Sequence, residues 1–264
     1  MSGQVVGIFR YPVKGFTPEP LSRAPLAPGE GFPHDRIYAV ENGPSGYDPA
    51  APAFTPKQKF AVLAALPQVA AVRTSYDAAS RVLTAEAPGR AGFSGALDAA
   101  DGRAAFAAWL TTVLGAEARG PLKVLEARGA FRFTDHPLGQ VSIINLASVR
   151  ELSARMGVEL DPLRFRANLY VEGWPAWAEL DWTGAQMMLG WAQATVFKPI
   201  VRCIATHVDP SSGRRDADVT KALFDHYGHM HCGVYVQVTA AGEVALGDAV
   251  AGPPTPPEAV EDAA

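Results

Sequence analysis

Glycine and proline interrupt this chain too often for a mainly helical fold. It holds 25 Gly and 22 Pro in 264 residues, and the apolar runs between them are short. Short apolar or alternating runs bounded by turn residues read as strands. Such runs lie at 4–10 (QVVGIFR), 35–40 (DRIYAV), 122–126, 141–145 and 164–171, and again at 186–189, 192–198, 201–208, 233–239, 243–246 and 248–251. Segments 68–75 and 81–85 read as a hairpin around Tyr76-Asp77-Ala78-Ala79. Three stretches carry the helical period instead. In 101–114, Phe106, Trp109, Leu110 and Val113 share a side and Gly115 is the stop. The others are 147–156, stopped by Gly157, and 216–227, with Val219, Leu223 and Phe224 together. Segments 17–30, 42–58, 87–102 and 127–140 are expected to be irregular. Many short strands, few helices and regular turns predict an α+β chain, mainly β, with barrel character.

The length suits one large or two modest domains with a real core. A composition change near 86–102 and the loop at 127–140 suggest a division into 1–126, 127–252 and a frayed tail at 253–264. Hydrophobic residues make up 48% and charged residues 19%, with a net charge of -4. That balance fits a soluble globular protein with no bulk attraction to nucleic acid or to an anionic membrane. The opening MSGQVVGIFRYPVKGF lacks the basic-then-apolar order of a signal peptide. No window approaches the roughly 18 apolar residues of a membrane span. Two cysteines, Cys203 and Cys232, make no disulfide scaffold, so a reduced, cytoplasmic protein is expected.

Most of the chemistry lies in Val201–Asp216, VRCIATHVDPSSGRRD. Cys203, Ala205 and His207 alternate with Ile204, Thr206 and Val208, which reads as a strand ending in the turn Asp209-Pro210-Ser211-Ser212-Gly213. Arg202 beside Cys203 favours a thiolate, suited to nucleophile or soft metal ligand. A buried cysteine acting as a small hydrophobe is the plainer alternative. Continued alternation sets Asp209 on the Cys203 face, as proton donor or substrate orienter, or else as an Asx-Pro turn cap. His226, His229, His231 and Cys232 fit no zinc template with paired ligands. Lys14, Arg36, Arg166 and Arg202 each stand at a strand end or beside a glycine or proline turn. Singly they are solvated charges; converging, they would bind an anion. Segment 42–58 and Trp174, Trp177 and Trp182 are candidate pocket walls, with core packing the plainer role for the tryptophans. No GxGxxG, GxxxxGK[ST], HExxH or GxSxG occurs.

Taken in order, IFRYPVKGF, FPHDRIYAV, FRANLYVEG, VRCIATHVDPSSGRRD, HCGVYVQV and GEVALGDAV resemble the MOSC-domain family (molybdenum cofactor sulfurase C-terminal domain) over about residues 4–251. The first part is similar to the MOSC N-terminal β-barrel domain that precedes it in the mitochondrial amidoxime-reducing component and its bacterial relatives. The resemblance implies a β-barrel MOSC domain packed with a smaller β-rich N-terminal domain, and a site at their interface. It implies a molybdenum cofactor in its molybdopterin form, with cysteine-ligated molybdenum and Cys203 as the ligand. A soft thiolate suits a soft metal, and metal binding keeps it deprotonated. The matching motifs put Lys14 and Arg36 on the pterin phosphate. They make Arg166, Asn168, Arg202 and Tyr235 further cofactor contacts, with Gly139 and Gln140 as backbone contacts.

The implied activity is reduction of N-hydroxylated or N-oxide small molecules. The chain ends near residue 264, without the C-terminal ferredoxin-type domain of some bacterial relatives. Electrons are therefore expected from a separate reductase or ferredoxin-type partner. Two departures from the family pattern stand out. Gly15 replaces a frequent serine, removing a hydroxyl contact, and Leu138–Gln140 lacks the Thr-Ser-Pro character of the eukaryotic enzymes. The alternative function is a carrier that relays molybdenum cofactor or sulfur through Cys203 without turnover. A thiol or zinc hydrolase pairing Cys203 with His207 or His231 ranks last, because His207 would lie roughly 13 Å along an extended strand.

Overall fold

The structure, a computed structural model, describes residues 1–139 and 141–253. Gln140 and residues 254–264, and with them the contact expected of Gln140 and nearly all of the expected 253–264 tail, lie outside the described residues. The chain opens with strands β1 (Ser2–Arg10), β2 (Glu19–Pro20), β3 (Arg23–Leu26) and β4 (Tyr38–Asn42). It continues through β5 (Arg73–Asp77), β6 (Val82–Glu86), β7 (Phe93–Ala96), helix α1 (Ala100–Leu114) and β8 (Leu122–Glu126). Next come β9 (Val141–Asn145), α2 (Leu146–Met156), β10 (Leu169–Glu172), β11 (Gln186–Leu189) and β12 (Ala192–Val201). The last elements are α3 (Val219–Tyr227), β13 (His231–Ala240), β14 (Gly242–Ala245) and β15 (Ala249–Ala251).

Seven strands close a barrel in the order β1-β10-β9-β13-β12-β11-β15 and back to β1. All pairs are antiparallel except β9–β10. A parallel pair needs a crossover, and α2 supplies it. Asn145 caps α2 by accepting from the Ala147 amide, and Gly157 ends it in the left-handed region. Inward residues of alternating strands fill the barrel: Val5 and Ile8 of β1, Ile143 of β9, and Val234 and Val236 of β13. Trp174 and Trp182 join that core and are no pocket wall. Helices α2 and α3 cover one side through Val149, Leu152 and Leu223, packed on Phe165 and Cys232.

A smaller lobe holds the β4–β8 pair, the β5-β6-β7 sheet and α1, around Phe16, Tyr38, Leu83, Phe106 and Leu110. The fold is thus mainly β with three α-helices among the described residues. No helix among them is long and apolar enough to cross a membrane.

Five expectations are corrected. Segment 17–30 carries β2 and β3, and 87–102 carries β7. The strand expected at 35–40 starts only at Tyr38, because Arg36 sits at φ 49 in a turn. Within 164–171 only β10 is extended. Asp161 caps a 3-10 turn over Pro162–Phe165, and Arg166 follows in the left-handed region. The expected strand 201–208 does not form. β12 stops at Val201, and Ile204–His207 coil into a 3-10 turn that the Thr206 hydroxyl closes on the Cys203 carbonyl at 2.9 Å.

Candidate functional site

The pocket lies where the barrel meets the smaller lobe. β12 delivers Arg202 and Cys203 at its end, and β13 delivers Tyr235. The turn before β10 delivers Arg166, and the 11–16 bend after β1 delivers Lys14. Arg36, Gly139 and Asn168 line the same pocket, which encloses about 90 Å³. Of the residues singled out in the sequence, eight therefore converge: Lys14, Arg36, Gly139, Arg166, Asn168, Arg202, Cys203 and Tyr235.

Their hydrogen bonds separate two roles. Arg202 is a framework residue. Its guanidinium donates to the Cys232 carbonyl at 2.7 and 2.5 Å and to the Phe165 carbonyl at 2.8 Å. Asn168 is equally committed. Its oxygen accepts from the Ser142 amide and hydroxyl, and its amide donates to the Phe9 carbonyl, stitching β9, β10 and β1 together. Arg36 and Arg166 differ. Both have left-handed backbones, at φ 49 and 52, a conformation that is unfavourable for a non-glycine residue. Both guanidinium groups lie over the buried Tyr11 ring, 4.7 and 4.3 Å from its centroid. Arg36 pairs with Asp35 and donates to the Arg166 carbonyl at 2.9 Å. Arg166 has no such relief: its Nη2 is buried without a hydrogen-bond partner among the described residues. Burial and the neighbouring Arg36 both work against its charge.

Two further residues complete the site: Asp135, which sequence reasoning missed, and Lys57, which belongs to the 42–58 segment expected as a pocket wall but was not singled out by itself. The buried Lys14 donates to Asp135 at 2.5 Å and to the Phe133 carbonyl at 2.8 Å. Burial lowers the Lys14 pKa, and Asp135 opposes that shift. Burial would raise Asp135, but Lys14, Lys57 and Arg36 together hold it well below the usual carboxylate range. Lys57, which lines the pocket with Cys203, is raised despite burial, because Asp135 and Cys203 favour its charge. Burial and Asp135 push the Tyr235 phenol up, so it keeps its proton near neutral pH.

Charge dominates the lining. Among the described residues it holds Lys14, Arg36, Lys57, Arg164, Arg166 and Arg202 against one carboxylate, Asp135. Arg164 pairs outside the pocket with Asp209 and Asp216, at 3.3 and 2.7 Å, although its Nε is buried without a hydrogen-bond partner among the described residues. Even after that pairing and those of Arg36 and Lys14, positive charge is left over. Buried surplus charge is costly unless an anion joins it.

Asp209 is not brought into the pocket. One of its oxygens accepts from the amides and hydroxyls of Ser211 and Ser212 at 2.5–3.0 Å. These bonds, those of Ser211 first, lower its pKa to about 2. It is the turn cap, not a proton donor. The strand geometry invoked for it fails because 204–207 is a 3-10 turn. His207 is also turned to other work, its Nε2 2.8 Å from the Thr220 hydroxyl. Cys203 is half-buried, whereas Cys232 is fully buried, with its thiol pushed up by burial to about 12. His229 and His231 stack at 5.0 Å. Among the described residues no three His, Cys, Asp or Glu side chains are grouped to hold a metal.

Residues 131–251 match the MOSC domain family, and residues 2–119 match the MOSC N-terminal beta barrel domain family. The chain is 32% identical over 168 residues to molybdenum cofactor sulfurase from Anopheles gambiae, covering 54% of this chain and 21% of that protein. The chain thus spans about a fifth of that relative's length. Among solved structures, it is similar to the YUAD protein of Bacillus subtilis, with 16% identity, a TM-score of 0.48 and coverage of 95% and 94% of the two chains. It is also similar to YiiM from Geobacillus stearothermophilus, with 19% identity, a TM-score of 0.35 and coverage of 44% and 55%.

Proposed function

We propose, on the premise that this chain belongs to the MOSC-domain family and carries the MOSC N-terminal beta barrel domain ahead of it, that its pocket holds a molybdenum cofactor and reduces N-hydroxylated or N-oxide compounds. The observation that carries the reading is the unpartnered, buried Nη2 of Arg166, in a cation-rich pocket that also contains a half-buried thiol. An orphan donor of a charged group calls for an acceptor, and a phosphate supplies one. Gly139 adds to the fit. A Cβ there would meet the Tyr235 ring at 3.0 Å and the His136 carbonyl at 3.2 Å, so a side chain would crowd the cradle.

In this reading Arg166, Arg36 and Lys14 hold the phosphate of the pterin. Cys203 binds the metal as a thiolate, the form in which cysteine ligates a soft metal. When bound, the cofactor supplies a molybdenum centre with an exchangeable oxygen position and two-electron chemistry. Arg202 holds the end of β12 against β13 and the Phe165 turn, and so fixes where the thiolate points. Overall, the substrate's N–O bond breaks with two electrons and two protons, and water leaves. The electrons come from a separate reductase or ferredoxin-type protein. The test is reduction of benzamidoxime by protein made in a cofactor-producing host, with an artificial electron donor. Turnover abolished by Cys203→Ala is expected. A loaded protein that never turns over, yet carries a persulfide on Cys203 by mass spectrometry, overturns the enzyme reading in favour of a carrier.

A further inference from the structure

Beside the cationic pocket lies a second cavity of about 340 Å³. The two share Thr134 and Gly139, so they meet along one wall. The 42–58 segment forms part of the new cavity through Pro52 and Phe54, and the 127–139 loop contributes Phe131 and Leu138. Phe54 and Leu138 are large apolar side chains left 49% and 46% exposed. The smaller lobe leaves them without packing partners enough to cover them, as an apolar ligand would.

Among the described residues, one charged residue lines this cavity, Arg132. Its Nη1 donates to the Gly129 and Phe131 carbonyls at 2.8 and 2.7 Å. Its Nε is buried and has no hydrogen-bond partner among the described residues. Asp35 and Glu30 lie near enough to favour its charge, yet burial outweighs them and lowers its pKa. A buried guanidinium donor without an acceptor, at the wall of an apolar cavity, is the arrangement that orients an acidic ligand.

We infer that this cavity is a binding site for a flat, apolar organic molecule bearing one carboxylate, with the carboxylate on Arg132 and the ring system against Phe54 and Leu138. The binding needs no cofactor. Its meaning as a substrate site rests on the function proposed above: the shared wall at Thr134 and Gly139 then leads the far end of the molecule toward Cys203. The substrate class becomes aromatic N-hydroxy or N-oxide compounds that also carry an acidic group.

The probes are 2-naphthoate and its neutral counterpart 2-naphthamide, titrated calorimetrically into the full chain. Native protein and the Cys203→Ala variant are expected to bind 2-naphthoate alike, and more tightly than 2-naphthamide. Arg132→Gln should weaken 2-naphthoate about tenfold, the loss of one charge-assisted contact, and leave 2-naphthamide within twofold. Phe54→Ala, on an exposed side chain that the fold does not need, should weaken both. Arg166→Gln should weaken neither. Equal binding of the two probes to native protein overturns the inference without any variant. So does 2-naphthoate binding that Arg166→Gln abolishes and Arg132→Gln does not, which assigns it to the cationic pocket. Molybdenum content plays no part in these titrations, so a failed cofactor reading leaves the binding result standing and a failed binding result leaves the cofactor reading standing.

Discussion

Arg36 and Arg166 are held side by side over Tyr11, each in a backbone conformation that ordinary residues avoid. That arrangement opposes itself electrostatically and is sustained by the packing around it. Asp135 is the internal counter-anion that makes the unliganded pocket tolerable, since it faces Lys14, Lys57 and Arg36 together. It must therefore compete with any anion that enters. Asp135→Asn is expected to tighten binding of inorganic phosphate severalfold, read by calorimetry on the full chain. Weaker or unchanged binding would show that Asp135 does not occupy the anion's place. The family resemblance led to Cys203, Lys14, Arg36 and Arg166, because those residues sit in motifs. Lys57 and Asp135 were not legible. Asp135 lies in a stretch that reads as plain loop and Lys57 in one that reads only as a general pocket wall, and the closure of the lobe on the barrel brings both into the pocket that holds Cys203.

Elements with a single strong period were legible, and those set by side-chain caps were not. β8 and β9 fall where the apolar runs placed them, at Leu122–Glu126 and Val141–Asn145. α1 likewise ends at Gly115, as its stop residue predicts. At 203–208 a two-residue alternation was present, yet Thr206 bonds back to the Cys203 carbonyl and curls the chain. Local side-chain bonds of this kind compete with strand pairing. The turn that follows depends on Asp209, and its acid response has a definite sign. The folded pKa of about 2 lies below the usual value near 4. Its contribution is therefore complete above about pH 4 and is lost as the pH falls through about 2. Asp209→Ala should lower stability by roughly 1–2 kcal/mol in urea at pH 7. The gap to native protein should shrink toward pH 2. Molybdenum content should stay unchanged, since Asp209 does not line the pocket. A gap that stays constant with pH would contradict the capping role.

At the scale of the whole molecule, the barrel is closed by the first strand. β1 pairs with both β10 and β15, so the chain's opening residues lie between segments that come more than 160 and more than 240 positions later. The sequence could announce strands and barrel character, but not that closure, because pairing partners so distant leave no local trace. The consequence is a site that no single segment owns. Lys14 and Arg36 come from the opening part of the chain, Arg166 from the crossover into β10, and Cys203 from the end of β12. On the proposed function, anion and metal would be held from opposite parts of the sequence, which would tie cofactor retention to the intact barrel. The central claim is that this assembled pocket holds molybdenum through Cys203. It is tested most directly by the metal content of protein purified from a cofactor-producing host, native beside Cys203→Ala. Close to one molybdenum per native chain, with most of it lost in a variant that melts like native protein, is the predicted result. Zinc or no metal in the native protein, or full molybdenum in the variant, would contradict it.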